Sequence, residues 1–467
     1  MLTVMGFATI AVVLALLLSN RVGAVVALIG VPVTAAFLMG FGPGEVAAFV
    51  GAGIGGVAAT TAMFVFAILF FGVMRDAGLF DPIVRRVLRF AGNNPVTIAV
   101  ATVVLAMAAH LDGAGATTFL ITVPAMLPLY DALGMRRLIL AALTGLGAGV
   151  MNIVPWGGPT ARAATATGIP ANDLWAPLIP AQIIGMVTCV AIAYYLGVRE
   201  RNRIGATPDR EPTPSRVGGG DHAPGGSDVE GSDAPREHDS DQGSVRPPAY
   251  ESENPHLLRP RLYWFNALLT LATVGMLISG VLPPELVFML ALVIALVLNY
   301  PGMKEQTDRI DAHAKGAILM ASTLLSAGVF LGVMEESGMI QAMAESMTGV
   351  MPSFLGPGLP LLIGVLAVPM SLIFGPDAYY FAVMPVLAAV GEGFGVEPLH
   401  VAQASITGQE TVGFPISPMT GSFYLLVGLC GVSIGSHIRF LLPWAWLVGL
   451  VVFGAGAAMG VIPLWVS

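Results

Sequence analysis

Residues 150–165 read VMNIVPWGGPTARAAT, an apolar helical run that stops at Pro155 and restarts past Pro159. Gly157 and Gly158 permit a turn without a side chain, Pro159 lacks the N–H that an unwound stretch would leave unpaired, and Thr160 supplies a hydroxyl. Unwound backbone inside hydrocarbon is tolerated only where it is buried in protein or lines a cavity. A second interruption, PISPMT at residues 415–420, stands at the corresponding place of the other half of the chain. Two broken helices in one membrane chain point to a carrier with its site near the midplane.

The surrounding sequence fits a bilayer. Of 467 residues, 55% are hydrophobic and only 11% charged, and the mean hydropathy is +0.80. Soluble domains carry about a quarter charged residues, so a cytosolic enzyme, a nucleic-acid binder and a secreted disulfide scaffold are excluded. Cys189 and Cys430 both lie in apolar runs, with no second ligand at metal spacing, and read as core residues. The first apolar segment, from Leu2, has neither a basic flank nor a cleavage motif and is expected to be retained. Residues 205–254 hold 11 of the 29 acids and 4 of the 21 bases, so the rest is close to neutral. That Gly-, Ser-, Pro- and Asp-rich stretch has almost nothing to bury and is expected to be a disordered tether. The chain thus divides into a membrane repeat at 1–204, an acidic linker at 205–256 and a second membrane repeat at 257–467.

The expected fold is all-α. Apolar runs predict about ten spanning helices, near 3–20, 22–40, 57–75, 137–154 and 176–198 before the linker, and near 262–281, 285–300, 315–334, 398–416 and 438–463 after it. The stretches 95–130 and 355–391 are interrupted midway and are expected to be re-entrant helical hairpins. With the linker in the cytoplasm and both termini outside, the basic residues fall inside, Arg75, Arg85, Arg86, Arg89, Arg136 and Arg137 among them. The outer loops hold acids such as Glu45, Asp173, Glu285 and Glu392.

The halves match at an offset of about 260 residues: the run Gly72 to Gly78 with Gly332 to Gly338, Pro124 with Pro385, Thr160 with Thr420. Five crossings between the copies would invert one relative to the other, the arrangement of secondary transporters. Intramembrane ionisable residues are then candidates for function: Asp112, Arg162, Asp377 and Glu410. A half-helix starting at Thr160, with Arg162 as a permanent cation beside it, would favour a carboxylate. The competing reading makes Arg162 one half of a structural ion pair with Asp112 or Asp377. In the second half Ser417, Thr420 and Ser422 offer neutral oxygens. Asp112 and Asp377, with Thr117, Thr118 or Asn152 nearby, would take a proton, Na⁺ or a metal ion. His110 reads equally as a proton relay or a packed side chain. His400 and His437 are expected at the interface, and Tyr379 and Tyr380 chiefly in packing. An intramembrane enzyme finds no support, since there is no HExxH and no Ser/His pair on adjoining segments.

The segments LFFGVMRDAGLFDPIVRRV, LDGAGATTFLITVPAMLPLY, GVMNIVPWGGPTARAATATG, DAYYFAVMPVLA and SPMTGSFYLLVGL closely resemble the CitMHS family of citrate–divalent metal:proton symporters, within the ion transporter superfamily. The resemblance covers nearly the whole chain outside the linker. It implies an elevator-type carrier of the cytoplasmic (inner) membrane, with a scaffold domain that dimerises and a transport domain of hairpins and broken helices. It implies citrate or a related di- or tricarboxylate as cargo, free or complexed with Mg²⁺ or Ca²⁺, coupled to H⁺ or Na⁺, with no permanently bound cofactor and no nucleic-acid partner. By motif position Asp112, Gly113, Gly115, Thr117, Thr118, Gly157 to Thr160, Arg162, Asp377 and Thr420 carry the site. One departure stands in the first hairpin, where Ala114 and Ala116 replace a run that carries a second acid in the family. The alternatives are a Na⁺-coupled dicarboxylate carrier without metal, and an inorganic ion antiporter or exporter of the same superfamily. Arg162 argues against the latter, because a fixed cation repels a cationic cargo.

Overall fold

A computed structural model of the protein describes residues 1–19, 21–205, 255–350, 352 and 355–466. Nearly all of the linker expected at 205–256 therefore lies outside the described residues. The first half runs α1 (Leu2–Leu18), α2 (Ala24–Leu38), α3 (Pro43–Asp76), α4 (Asp81–Ala91), α5 (Pro95–Ala109), α6 (Gly115–Ala132), α7 (Arg137–Met151), α8 (Gly158–Thr167), the short α9 (Ala171–Trp175) and α10 (Ile179–Gly205). The second runs α11 (Tyr263–Ser279), α12 (Pro284–Asn299), α13 (Met303–Glu336), α14 (Met339–Val350), α15 (Leu359–Met370), a π-helical turn Ala378–Val383 leading into α16 (Met384–Glu392), α17 (Pro398–Ile406), α18 (Gly421–Cys430) and α19 (Ile434–Ala458). Among the described residues there is no strand. Six helices are long and apolar enough to cross a membrane, and shorter apolar helices of 10–17 residues accompany them, the make-up of a multi-pass membrane protein.

The element order of the first half resembles that of the second, and some elements agree in length. Helices α3 and α13 each have 34 residues and end in left-handed glycines, Gly78 at φ 85° and Gly338 at φ 77°, which stop the helix where any other residue would be strained. Half-helices α8 and α18 each have 10 residues. Both interrupted stretches fold as helix–turn–helix hairpins, α5 with α6 and α15 with α16.

Two features differ from the sequence reading. The long helices begin earlier than expected, at Pro43 and Met303 rather than near 57 and 315. The run Gly51 to Gly56, left outside the expected span, continues the helix and supplies small residues at its crossing with α13. A Cβ on Gly53 would enter the Gly328 carbonyl, and one on Gly328 would lie 2.8 Å from Gly53 O. Such close backbone approach at small residues is how helices pack in lipid. The basic segment 81–91, read as loop, is the helix α4. Val84, Leu88 and Ala91 are buried against α5 while Arg85, Arg86 and Arg89 face outward, an amphipathic pattern masked by its charge.

The foot of α3 is tied to α13 by charge. Asp76 Oδ2 accepts from Arg309 Nη1 at 3.0 Å and from His313 Nε2 at 2.8 Å. Gly72 leaves room for that imidazole, since a Cβ there would lie 2.6 Å from its Cδ2. Both cysteines are free and buried.

Candidate functional site

The two helix breaks and the tip of the first hairpin converge on a cavity of about 180 Å³. The first hairpin contributes His110, Gly113 and Gly115, the first break Asn152, Gly158, Pro159 and Arg162. Pro376, at the tip of the second hairpin, and Glu410, Phe414, Thr420 and Ser422, around the second break, complete the wall. The sequence had placed most of these residues at the site without showing that they meet.

Three helices start at this wall: α6 at Gly115, α8 at Gly158 and α18 at Gly421 next to Ser422. Each helix N-terminus presents unpaired amides and partial positive charge, so their convergence favours an anion. Arg162 adds a full cation on the first turns of α8. Its Nε donates to Asp377 Oδ1 at 2.7 Å, and its Nη1 to Gly158 O at 3.1 Å. Nη2 has no partner among the described residues. The ion pair with Asp377, one of the two pairings open from sequence, is thus present, while that with Asp112 is not. The side chains are 13% and 25% exposed, and a partly desolvated pair of this geometry fixes the plane of the guanidinium.

Asp112 turns away from the cavity. Its carboxylate accepts from Ala114 N–H at 2.9 Å and faces Arg75 Nη1 at 3.8 Å. Thr117 accepts from the same Arg75 atom at 3.2 Å. Arg75, counted from sequence only among the basic residues of the inner side, therefore stands at the hairpin tip. Only the tertiary contact between α3 and the tip reveals it, because Arg75 ends its own helix in an ordinary basic position.

Asn152 and His110 form a brace. Asn152 Nδ2 donates to Glu410 O at 2.9 Å, which turns its Oδ1 toward His110 Nε2 at 3.3 Å. Nε2 must then carry the proton, and Nδ1 lies 2.8 Å from Thr118 Oγ1, whose one hydroxyl proton it shares with Ala114 O at 3.0 Å. His110 is fully buried, so the packed reading of this residue describes it, with Phe414 stacked on its ring at 5.8 Å between centroids. Thr160 closes the first break from behind, donating to Ile153 O at 2.9 Å. Gly157 is forced by crowding, since a Cβ would lie 2.9 Å from Val154 O. Trp156 Nε1 donates to Leu111 O at 2.8 Å, joining break to hairpin tip.

At the second break, α17 ends at Ile406 rather than running to 416, and the chain continues through turns and a single 3-10 turn at Phe414–Ile416. Thr420 Oγ1 donates to the carbonyls of Phe414 and Ser417. Ser417 is buried, its Oγ 3.4 Å from Met419 N. His437, expected at the interface, is instead fully buried, with Nε2 donating to Pro415 O at 2.9 Å; it satisfies a carbonyl that the break would leave bare. Tyr380 OH donates to Gln409 O at 2.8 Å, so this tyrosine shapes the break as well as packing. Among the described residues no group of three or more His, Cys, Asp and Glu could hold a metal ion.

Residues 3–408 match the citrate transporter family, CitMHS. The chain is 41% identical to a citrate transporter of Bacillus subtilis, over 99% of this chain and 100% of that one. It is 38% identical to the Mg(2+)/citrate complex secondary transporter of the same organism, again over 99% and 100%. Among solved structures, the YdaH transporter of Alcanivorax borkumensis superposes with a TM-score of 0.57 at 14% identity, over 89% of each chain, a likeness of fold.

Proposed function

The chain belongs to the citrate transporter family CitMHS, and from that premise we propose that it is a secondary active transporter of citrate or a closely related tricarboxylate, carried with a divalent cation. The observation that carries the reading is the convergence of Arg162 and three helix N-termini on one cavity between the halves. Cargo carboxylates are received by Arg162 Nη2, by the amides of Gly158 and Ser422 and by the Ser422 hydroxyl, while Thr420, its proton held by the Phe414 and Ser417 carbonyls, shapes the wall beside them. Gly157 to Thr160 hold the mouth of α8 open, Thr117 and Thr118 order the hairpin tip, and Ser417 orders the second break. Mg²⁺ or Ca²⁺ enters as co-substrate.

The coupling ion, H⁺ or Na⁺, is assigned to the acids of the two hairpin tips, Asp112 and Asp377, with Gly113, Gly115 and Asn152 as neighbouring oxygens. Each acid stands against an arginine, Arg75 or Arg162, able to release it. The recurring element order supports two repeats, 1–204 and 257–467, on either side of a cytoplasmic linker. An odd number of crossings per repeat inverts one copy relative to the other, which gives about ten spans, both termini outside and re-entrant hairpins. The reading extends to an elevator motion of the hairpin and broken-helix parts against a dimeric scaffold in the inner membrane. The deciding experiment is uptake of labelled citrate into proteoliposomes with imposed H⁺ or Na⁺ gradients, with and without Mg²⁺ or Ca²⁺. Gradient-driven uptake is expected; its absence with every carboxylate tried defeats the proposal.

A further inference from the structure

Glu410 is the residue of the cavity that the protein itself leaves unsatisfied. It is only 2% exposed, and apart from Ser417 beside it the carboxylate has no hydrogen-bond partner among the described residues. It is also the described non-glycine residue with positive φ, at 53°. A left-handed backbone at such a residue costs about 1 kcal/mol or more and persists only where the surroundings impose it. Here they do. Ser371 Oγ accepts from Glu410 N at 2.9 Å, Asn152 Nδ2 donates to Glu410 O at 2.9 Å, and Tyr380 OH donates to the preceding carbonyl. Three contacts from three elements hold a strained residue in the wall of the cavity, its carboxylate buried within that wall.

The charges around it sharpen the point. Arg162 is matched by Asp377, so an ionised Glu410 leaves the wall with one uncompensated negative charge, in a place built to receive an anion. A free tricarboxylate and Glu410 would repel one another in low dielectric. A divalent cation between them reverses the sign. Mg²⁺ does not need a cage of protein ligands: it is commonly held by one or two carboxylates, with the substrate and waters filling the rest of the shell. The described residues offer no cluster of three or more metal-binding side chains, so the cargo must bring most of the ligands.

We propose that Glu410 coordinates the divalent cation of the cargo directly, making the cavity selective for a metal-complexed carboxylate over the free anion. This rests on the carboxylate-transport reading given above. In the bound state the cation lies between Glu410 and the cargo, and the cargo's remaining carboxylates face Arg162 and the helix starts.

The test compares wild type with Glu410→Gln and Glu410→Asp in proteoliposomes, measuring citrate uptake against Mg²⁺ concentration, together with Mn²⁺ electron paramagnetic resonance of purified protein in the presence and absence of citrate. Wild type is expected to bind Mn²⁺ only with citrate present. Glu410→Gln is expected to lose that signal and at least about 10-fold of metal-dependent uptake, and Glu410→Asp to retain part of both. An unchanged Mn²⁺ signal in Glu410→Gln, or uptake that keeps the wild-type Mg²⁺ dependence, overturns the assignment. If wild type itself takes up no carboxylate, the transport reading has failed, whatever Glu410 does. Should Glu410→Gln fail to fold, Glu410→Asp decides: a wild-type Mg²⁺ dependence in that shortened variant overturns the proposal, and a weakened one supports it.

Discussion

Arg162 and Asp377 lie 215 residues apart in the chain and meet with Nε 2.7 Å from Oδ1, so the first broken helix is clasped to the tip of the second hairpin across the cavity. The pair sets the guanidinium plane and leaves Nη2 without a partner among the described residues. It joins the two halves of the chain at the place where both are irregular.

Replacing Arg162 by Ala removes the anion anchor. Charge-assisted hydrogen bonds contribute about 1.5–3 kcal/mol, so uptake of citrate is expected to fall about 10- to 100-fold while the protein still inserts. The orphaned Asp377 also lowers thermal stability in detergent, and adding Asp377→Asn should recover stability without recovering uptake. Normal uptake by Arg162→Ala removes this residue from the site.

The crossing of α3 and α13 has no room for side chains. Gly328→Val is expected to destabilise the protein by about 1–3 kcal/mol or prevent assembly, because its Cβ would lie 2.6 Å from Val57 Cγ2 and 2.8 Å from Gly53 O. Gly55→Ala, where nothing lies within 4 Å, serves as the contrast and should be neutral or stabilising by up to about 1 kcal/mol. Fluorescence-detected thermal shift separates them, and equal melting of the two variants contradicts the tight crossing.

Trp156→Phe keeps the ring and deletes the N–H that holds Leu111 O. A loss near 1 kcal/mol is expected, read as faster hydrogen exchange over residues 110–116 with α3 unaffected. Unaltered protection at the hairpin tip means that the indole bond does not hold it.

Deleting residues 210–250 is expected to leave uptake within about twofold of wild type, since that composition offers almost nothing to bury. A well-expressed deletion that no longer transports assigns the linker an active part.

Periodicity and breakers made much of this architecture legible. Helices, hairpins and both interruptions could be placed because lipid demands long apolar runs and punishes unpaired backbone, so departures such as PWGGPT stand out. What stayed hidden depends on partners distant in sequence. The run Gly51 to Gly56 signals either an end or a crossing, and only the opposing Gly328 and Gly332 decide. His437 gives no local sign that it satisfies Pro415 O, twenty-two residues away. Arg162 was recognisable because a cation beside a helix start is costly in lipid. Arg75 was not, because its setting at a helix end is ordinary until the hairpin folds against it.

The Trp156 N–H bond to Leu111 O has a mechanical consequence. A hairpin stitched in this way to the neighbouring half-helix cannot swing alone like a door, because the entrance of α8 would be dragged with it. Under the transport reading proposed above, any rearrangement of that tip then reshapes the mouth of α8 in the same stroke.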